Sequence, residues 1–333
     1  MAKARSYYKD SRDLRRELIE WIPRDVLRDL HSKHPVRHFA IVLRQFLLLV
    51  GCGFLLGSFS NPLVWIPVAI LMGFTMFNFT VLLHEQVHEA IFPQHRPRLM
   101  RFLGLLYAFP SGISATQFQI WHMDHHHNLG SPTDDPKRFH LSPKRVARWY
   151  KLLYCTPALF PIYFRAARCE TATYPAEVQR TIARERTWTI GLHLAILASI
   201  WWFAGFQVAA RVYLVPYFLV FPIAFTLNRL GQHYNIDPRD PAKWSSRVDG
   251  NALWHFLFLY SNFHLEHHYY QSVPFYNLDR LNRELRPFFA HRGVPNRGYG
   301  EILREWFLKN RAPHTNWEDS AARPHSDVTA TAS

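Results

Sequence analysis

The chain has 333 residues, 48% of them hydrophobic and 16% aromatic, with a formal charge of +14 at pH 7 and a mean hydropathy of only −0.16. That apolar content speaks for membrane spans beside substantial polar parts and against two soluble cores, while three scattered cysteines (Cys52, Cys155, Cys169) without CxxC pairing exclude a disulfide framework and a thiolate metal site. The cysteines are expected to be packing residues in a reducing setting. The charge would suit anionic lipid, nucleic acid or an acidic partner, and its distribution decides among them.

In chain order, the first residues lack an apolar core followed by a small-residue cleavage site, so no signal peptide is expected. Up to residue 38 an amphipathic repeat sets Leu14, Leu18, Ile22, Val26 and Leu30 near one face with arginines opposite. This predicts a helix, broken at Pro23, that lies on a bilayer surface or packs on the protein. Phe39 to Phe59 is the first long apolar run, with Arg44 and Gln45 close enough to its start to snorkel. Ser60 and Asn61 link it to a second run, Pro62 to Leu83. Each run, at roughly 1.5 Å per residue, reaches the ~30 Å of a hydrocarbon core, and together they predict a helical hairpin.

The second run continues without a breaker into His84-Glu85-Gln86-Val87-His88, at the exit of the span. From His95 to Arg186 the pattern is mixed: Leu99 to Ile120 is cut by Pro110, Ser111 and Gly112, and Tyr150 to Phe164 by Pro157 and Pro161. Both are expected to lie along the interface or dip into it. Between them stands Trp121-His122-Met123-Asp124-His125-His126-His127; on a helix, His122, His125 and His126 sit at i, i+3 and i+4 and project from one face. Thr187 to Phe206 and Val212 to Leu230, joined by a link at Gln207 to Ala210, are the third and fourth spans, and His233 follows directly. A last apolar piece, Leu253 to Phe263, is too short to cross and ends where the same spacing recurs at His264, His267 and His268. Residues 1–311 are expected to form a single membrane domain, and 312–333, rich in Pro, Ser, Thr, Asp and Ala, a disordered tail.

Of the 39 lysines and arginines, 37 lie before the first span, between the second and third, or from Arg229 onward; Arg44 and Arg211 are the exceptions. With four spans these segments share one side, and the positive-inside rule makes that side cytoplasmic, along with both termini and all three histidine clusters. The expected architecture is all-α, an integral membrane protein of four transmembrane helices with a cytoplasmic helical cap carrying the histidines. Nucleic-acid binding is set aside, since no recognisable fold or motif accompanies the basic excess, which reads as an orientation signal with affinity for anionic headgroups.

Neutral imidazole suits zinc, copper, iron and nickel, and eight clustered histidines exceed what one ion can hold, so two ions are implied. Two irons with open positions could reduce dioxygen and attack an unactivated carbon of a substrate arriving from the bilayer. Glu85, Asp124 and Glu266, off the histidine stripes, are expected to orient ligands through hydrogen bonds. Asp134-Asp135-Pro136 either reaches back to the second cluster or forms a turn. His127, His193 and His255 are expected to be structural or to lie just outside the ligand set.

The three clusters, HxxxH at His84 to His88 and HxxHH at His122 to His126 and His264 to His268, resemble the membrane fatty-acid desaturase and hydroxylase superfamily, over roughly Phe39 to Leu281. The resemblance implies two non-haem iron ions, dioxygen as co-substrate, and two electrons from an external ferredoxin, rubredoxin or b-type cytochrome. It implies one more histidine ligand, for which His233 is the candidate; many members place an asparagine four residues before it, where this chain has Arg229, with Asn228 one earlier. The expected metal ligands are His84, His88, His122, His125, His126, His233, His264, His267 and His268. The expected activity is oxygen-dependent insertion of a C=C bond into the acyl chain of a membrane lipid or activated fatty acid, in a bacterial inner membrane rather than the endoplasmic reticulum. The alternative is hydroxylation or ketolation of another lipid, carotenoids included, since Gly130-Ser131-Pro132-Thr133-Asp134-Asp135-Pro136 fits such members as well. A membrane zinc metalloprotease using the HExxH at 84–88 would leave both HxxHH clusters without a purpose. A metal transporter would line a path across the bilayer with histidines, whereas these gather on one side.

Overall fold

Among the described residues, four helices are long and apolar enough to cross a membrane: Pro35–Ser58, Pro62–Val87, Ala176–Ala204 and Phe206–Leu230. They come from a computed structural model that describes residues 11–129, 131, 134–234, 236–237 and 240–312. Apart from Ala312, the expected tail lies outside the described residues. Among the described residues there is no β-strand, only an isolated bridge between Arg247 and Asn296.

Each long helix matches one expected span: the second and fourth contain it whole and extend it, while the first and third begin earlier but stop at Ser58 and Ala204, short of the expected Phe59 and Phe206. Pro35 and Pro62 open the first two helices at positions where a missing N–H costs nothing, and Asn61 caps the second by accepting the Leu63 N–H at 3.0 Å. The link expected at Gln207 to Ala210 is in fact Gly205 alone, at φ +83, a conformation that suits glycine; the fourth helix resumes at Phe206. Its middle, Ala210–Val220, is wound more loosely, and the Phe221 N–H reaches back five residues to the Pro216 carbonyl. The wider turn accommodates Pro216, which lacks the N–H a regular helix would use.

The second span is the central post. In its most apolar stretch 67% of residues are buried, against 0% in the third. Gly73 lets the fourth span come close, because a Cβ there would lie 2.4 Å from Val220 Cβ and 2.8 Å from the Pro216 carbonyl oxygen. The third span is tied in by His193, whose ring bonds the Phe109 carbonyl at 2.8 Å and the Tyr213 hydroxyl. His193 is thus structural, as expected.

The N-terminal segment breaks at Pro23 into Arg12–Trp21 and Arg24–Leu30. Its apolar face does not await a bilayer. Leu14, Leu18, Ile22 and Leu30 are buried in the same core as the spans, and Tyr270 donates to the Leu18 carbonyl at 3.1 Å. Val26 is only half-buried. The segment predicted around Leu99 to Ile120 forms two helices, Pro97–Ser111 and Ala115–His127, separated at Gly112 (φ +70), with Pro110 inside the last turn of the first. A Cβ on Gly112 would fall 1.9 Å from the Tyr217 hydroxyl oxygen. Cys52 is buried and Cys155 partly so, but Cys169 is exposed, which corrects its reading as a packing residue.

Candidate metal centre

Three helix ends and one loop deliver nine imidazoles. The second span stops just past the first pair: Glu89 takes the left-handed conformation (φ +53), and the Ala90 N–H bonds the Glu85 carbonyl at 3.0 Å. The second cluster rides on Ala115–His127, whose first turn is capped by Ser114 accepting the Gln117 N–H at 3.1 Å. The third occupies His264–Tyr269; Leu259 and Tyr260, both at positive φ, end Ala252–Phe258 and turn the chain into it. His233 lies three residues beyond the fourth span, its Nδ1 3.1 Å from the Trp244 carbonyl oxygen.

These side chains converge in two groups able to hold a metal ion: His84, His88, His122, His126 and His267 in one, and His125, His233, His264 and His268 in the other. All nine histidines singled out in the sequence are there. In the first group Nε2 atoms approach at 2.7 Å (His88 and His122), 2.8 Å (His126 and His122) and 3.1 Å (His84 and His267; His267 and His126). In the second, His233 Nε2 lies 3.0 Å from His125, 2.9 Å from His264 and 3.2 Å from His268.

The donor set fits a cation. A carbonyl only accepts, so His233 carries its proton on Nδ1; the Asp135 carboxylate does the same for His125, with Nδ1 and Oδ1 2.9 Å apart. The Nε2 atoms of these two neutral rings are then bare lone pairs 3.0 Å apart, which repel unless a positive ion lies between them. Burial favours neutral rings. It pushes His88, His122, His126, His233, His264, His267 and His268 well below the ordinary value, with neighbouring histidines adding to the effect and, for all but His126, Lys137 as well. His125 is lowered by burial to about 4, the Asp135 charge partly opposing.

Around the rings, Asp135 reaches back to the second cluster and also accepts the N–H groups of Lys137 and Arg138 at 3.0 and 3.3 Å. Glu85 Oε1 lies 3.5 Å from His84 Nδ1, and its Oε2 accepts the Phe275 N–H at 3.0 Å, in keeping with an orienting role. The same expectation fails for two others. Asp124 is only partly buried, while buried Glu266 accepts from Asn282 Nδ2 at 2.5 Å and bonds no imidazole of the two groups. His127 is exposed, and His255 packs on Tyr260 outside both groups. Sequence reasoning missed Lys137, whose Nζ lies 3.0 Å from His122 Nδ1, and the Trp244 carbonyl; only the proximity of Lys137 to the Asp-Pro pair hinted at either.

A cavity of about 120 Å³ opens on the first group. His84, His122, His264 and His267 line it, and Phe77, Phe118, Phe160, Tyr163, Phe221 and Phe225 supply apolar walls. Asn228, Gln232 and Ser261 are linked on its wall, Gln232 Nε2 donating to Asn228 Oδ1 and Asn228 Nδ2 to Ser261 Oγ, each at 2.7 Å.

An all-helical membrane fold that gathers buried imidazoles beside an apolar cavity defines an integral-membrane protein with a histidine cluster able to hold metal. Residues 60–300 match the fatty acid desaturase family, and the chain belongs to that family. It is similar to the human sphingolipid delta(4)-desaturase/C4-monooxygenase DES2, at 22% identity over 284 residues, covering 83% of this chain and 82% of that protein. The chain is therefore a lipid-modifying membrane oxidoreductase of desaturase or hydroxylase type.

Proposed function

We propose that the protein inserts a C=C bond into an acyl chain, a two-electron oxidation in which –CH2–CH2–, dioxygen, two electrons and two protons become –CH=CH– and two waters. The observation that supports this most directly is the pair of neutral-imidazole groups facing an apolar cavity. His84, His88, His122, His126 and His267 would hold one iron, and His125, His233, His264 and His268 the other. Iron bound there supplies the reductive activation of dioxygen needed to remove hydrogen from an unactivated carbon. The chain's own part is placement. Asp135 and the Trp244 carbonyl fix which nitrogen of His125 and His233 faces inward, and the aromatic walls seat a hydrocarbon and exclude water.

The three basic segments support a cytoplasmic metal centre and cytoplasmic termini, and the same surface would receive an acidic ferredoxin, rubredoxin or b-type cytochrome as electron donor. We place the protein in a bacterial inner membrane rather than the endoplasmic reticulum, with residues 1–311 as one domain. Hydroxylation is the second reading, favoured by the relative whose name joins a desaturase with a C4-monooxygenase. Mass spectrometry of lipid extracts from cells with and without the protein tests both. Loss of two hydrogens from an acyl lipid is expected; gain of one oxygen without unsaturation would replace the first reading by the second.

A further inference from the structure

The cavity is mostly apolar, and its lining includes a cation without an ion-pair partner among the described residues. Arg229 is half-buried in the last turn of the fourth span and lines both the main cavity and a smaller one of about 30 Å³ beside His233. Among the described residues it forms no ion pair; its guanidinium lies 5.9 Å from the Phe225 ring, itself a cavity wall. Lys137 and Gln232 line the same two cavities, so a second basic side chain and an amide stand at the same boundary. The carboxyl groups nearby are taken. Asp135 holds His125 and two backbone N–H groups, and Glu85 holds the Phe275 N–H beside His84. A guanidinium stays charged at any working pH, and an unpaired one beside an apolar cavity is costly to maintain unless an anion completes it. Its planar fork matches a carboxylate or a phosphate.

Resting on the proposal that the cavity receives a lipid substrate, we propose that Arg229 binds an anionic group of that substrate, a carboxylate or phosphate, at the metal-centre end of the cavity. The acyl chain then runs along the aromatic walls toward the bilayer. A molecule seated this way offers the histidine groups the carbons nearest its anionic end, so Arg229 is a specificity-determining residue that acts on the substrate and not on the metals.

The test is binding by the full chain in phosphatidylcholine nanodiscs, followed by tryptophan fluorescence, since Trp121 lines the cavity. The probes are dodecanoate, dodecyl phosphate, dodecanol and inorganic phosphate. Dodecanoate and dodecyl phosphate should bind about ten-fold more tightly than dodecanol, the scale of one charge-assisted bidentate contact. R229Q should erase that preference while leaving dodecanol binding in place, and R229K should keep part of it. Equal binding of the alcohol and the two anions by the unsubstituted protein overturns the proposal, whatever the folding of the variants, as does a preference that survives in well-folded R229Q. Displacement of dodecyl phosphate by inorganic phosphate at matching concentration also overturns it, because the site would then serve a free anion. The desaturation reading fails separately, by the lipid mass spectra, and leaves these binding results untouched.

Discussion

Asp135 Oδ1 lies 2.9 Å from His125 Nδ1, both side chains buried, and that bond orients a ring of the four-histidine group. D135A should therefore weaken metal retention by about 10–100-fold, the usual cost of removing a carboxylate behind a histidine ligand. D135N, which keeps an acceptor but not the charge, should lose less. Metal per chain after dialysis against graded chelator measures this, and retention equal to that of the unsubstituted protein would remove Asp135 from the role.

H125A should abolish turnover and lower metal content while the chain still inserts, because the spans satisfy their backbone hydrogen bonds internally. H255A is the matched control: that ring packs 5.1 Å from Tyr260, outside both groups, and its loss should leave metal content unchanged. Metal analysis of the two membrane-extracted variants decides, and full activity in H125A would strike His125 from the centre.

Eight of the nine histidines were legible because local spacing places residues such as His122, His125 and His126 on one helical face, and because uninterrupted apolar runs show where helices leave the membrane; His233 was named only through the family resemblance. The partners of those rings were not. Trp244 reaches His233 across a loop, and Lys137 reaches His122 from a segment with no periodicity, so neither contact leaves a trace in sequence spacing. The stripe of Leu14, Leu18 and Ile22 showed that one face of the first helix is covered but not by what, since core and lipid select the same residues. The looser winding over Ala210–Val220 was likewise hidden, because Pro216 announces a disturbance without saying how the helix absorbs it.

Acid should destabilise the metal-free protein. The buried rings of His88, His122, His126, His233, His264, His267 and His268 have folded-state values well below 6.5, and His125 about 4, all through burial first. At these histidines the unfolded chain takes up protons as pH falls through about 6.5 whereas the folded chain does not, so their contribution to stability is full above that value and declines below it. Tm should drop as pH falls from about 6.5 toward 4. A Tm independent of pH down to 4.5 would contradict burial of neutral rings.

G73V should cost at least about 1–3 kcal/mol, because a β-carbon there meets Val220 Cβ and the Pro216 backbone, which cannot swing aside. G104A is the contrast: its nearest neighbour, at 2.9 Å, is the amide oxygen of Gln86, the end of a flexible side chain. Thermal unfolding of the two in one detergent should separate them clearly, and equal Tm values would argue against close contact between the second and fourth spans.

The helix Ala176–Ala204 buries none of its most apolar stretch, and Trp202 and Phe203 are each 85% exposed. Yet toward its other end Glu185 accepts from Ser114 Oγ at 2.6 Å and the Thr116 N–H at 3.0 Å, gripping the start of the helix that carries His122, His125 and His126. The long helix with the barest apolar stretch is thus also tied, through the Glu185 carboxylate, to the start of the helix that presents three of the nine imidazoles.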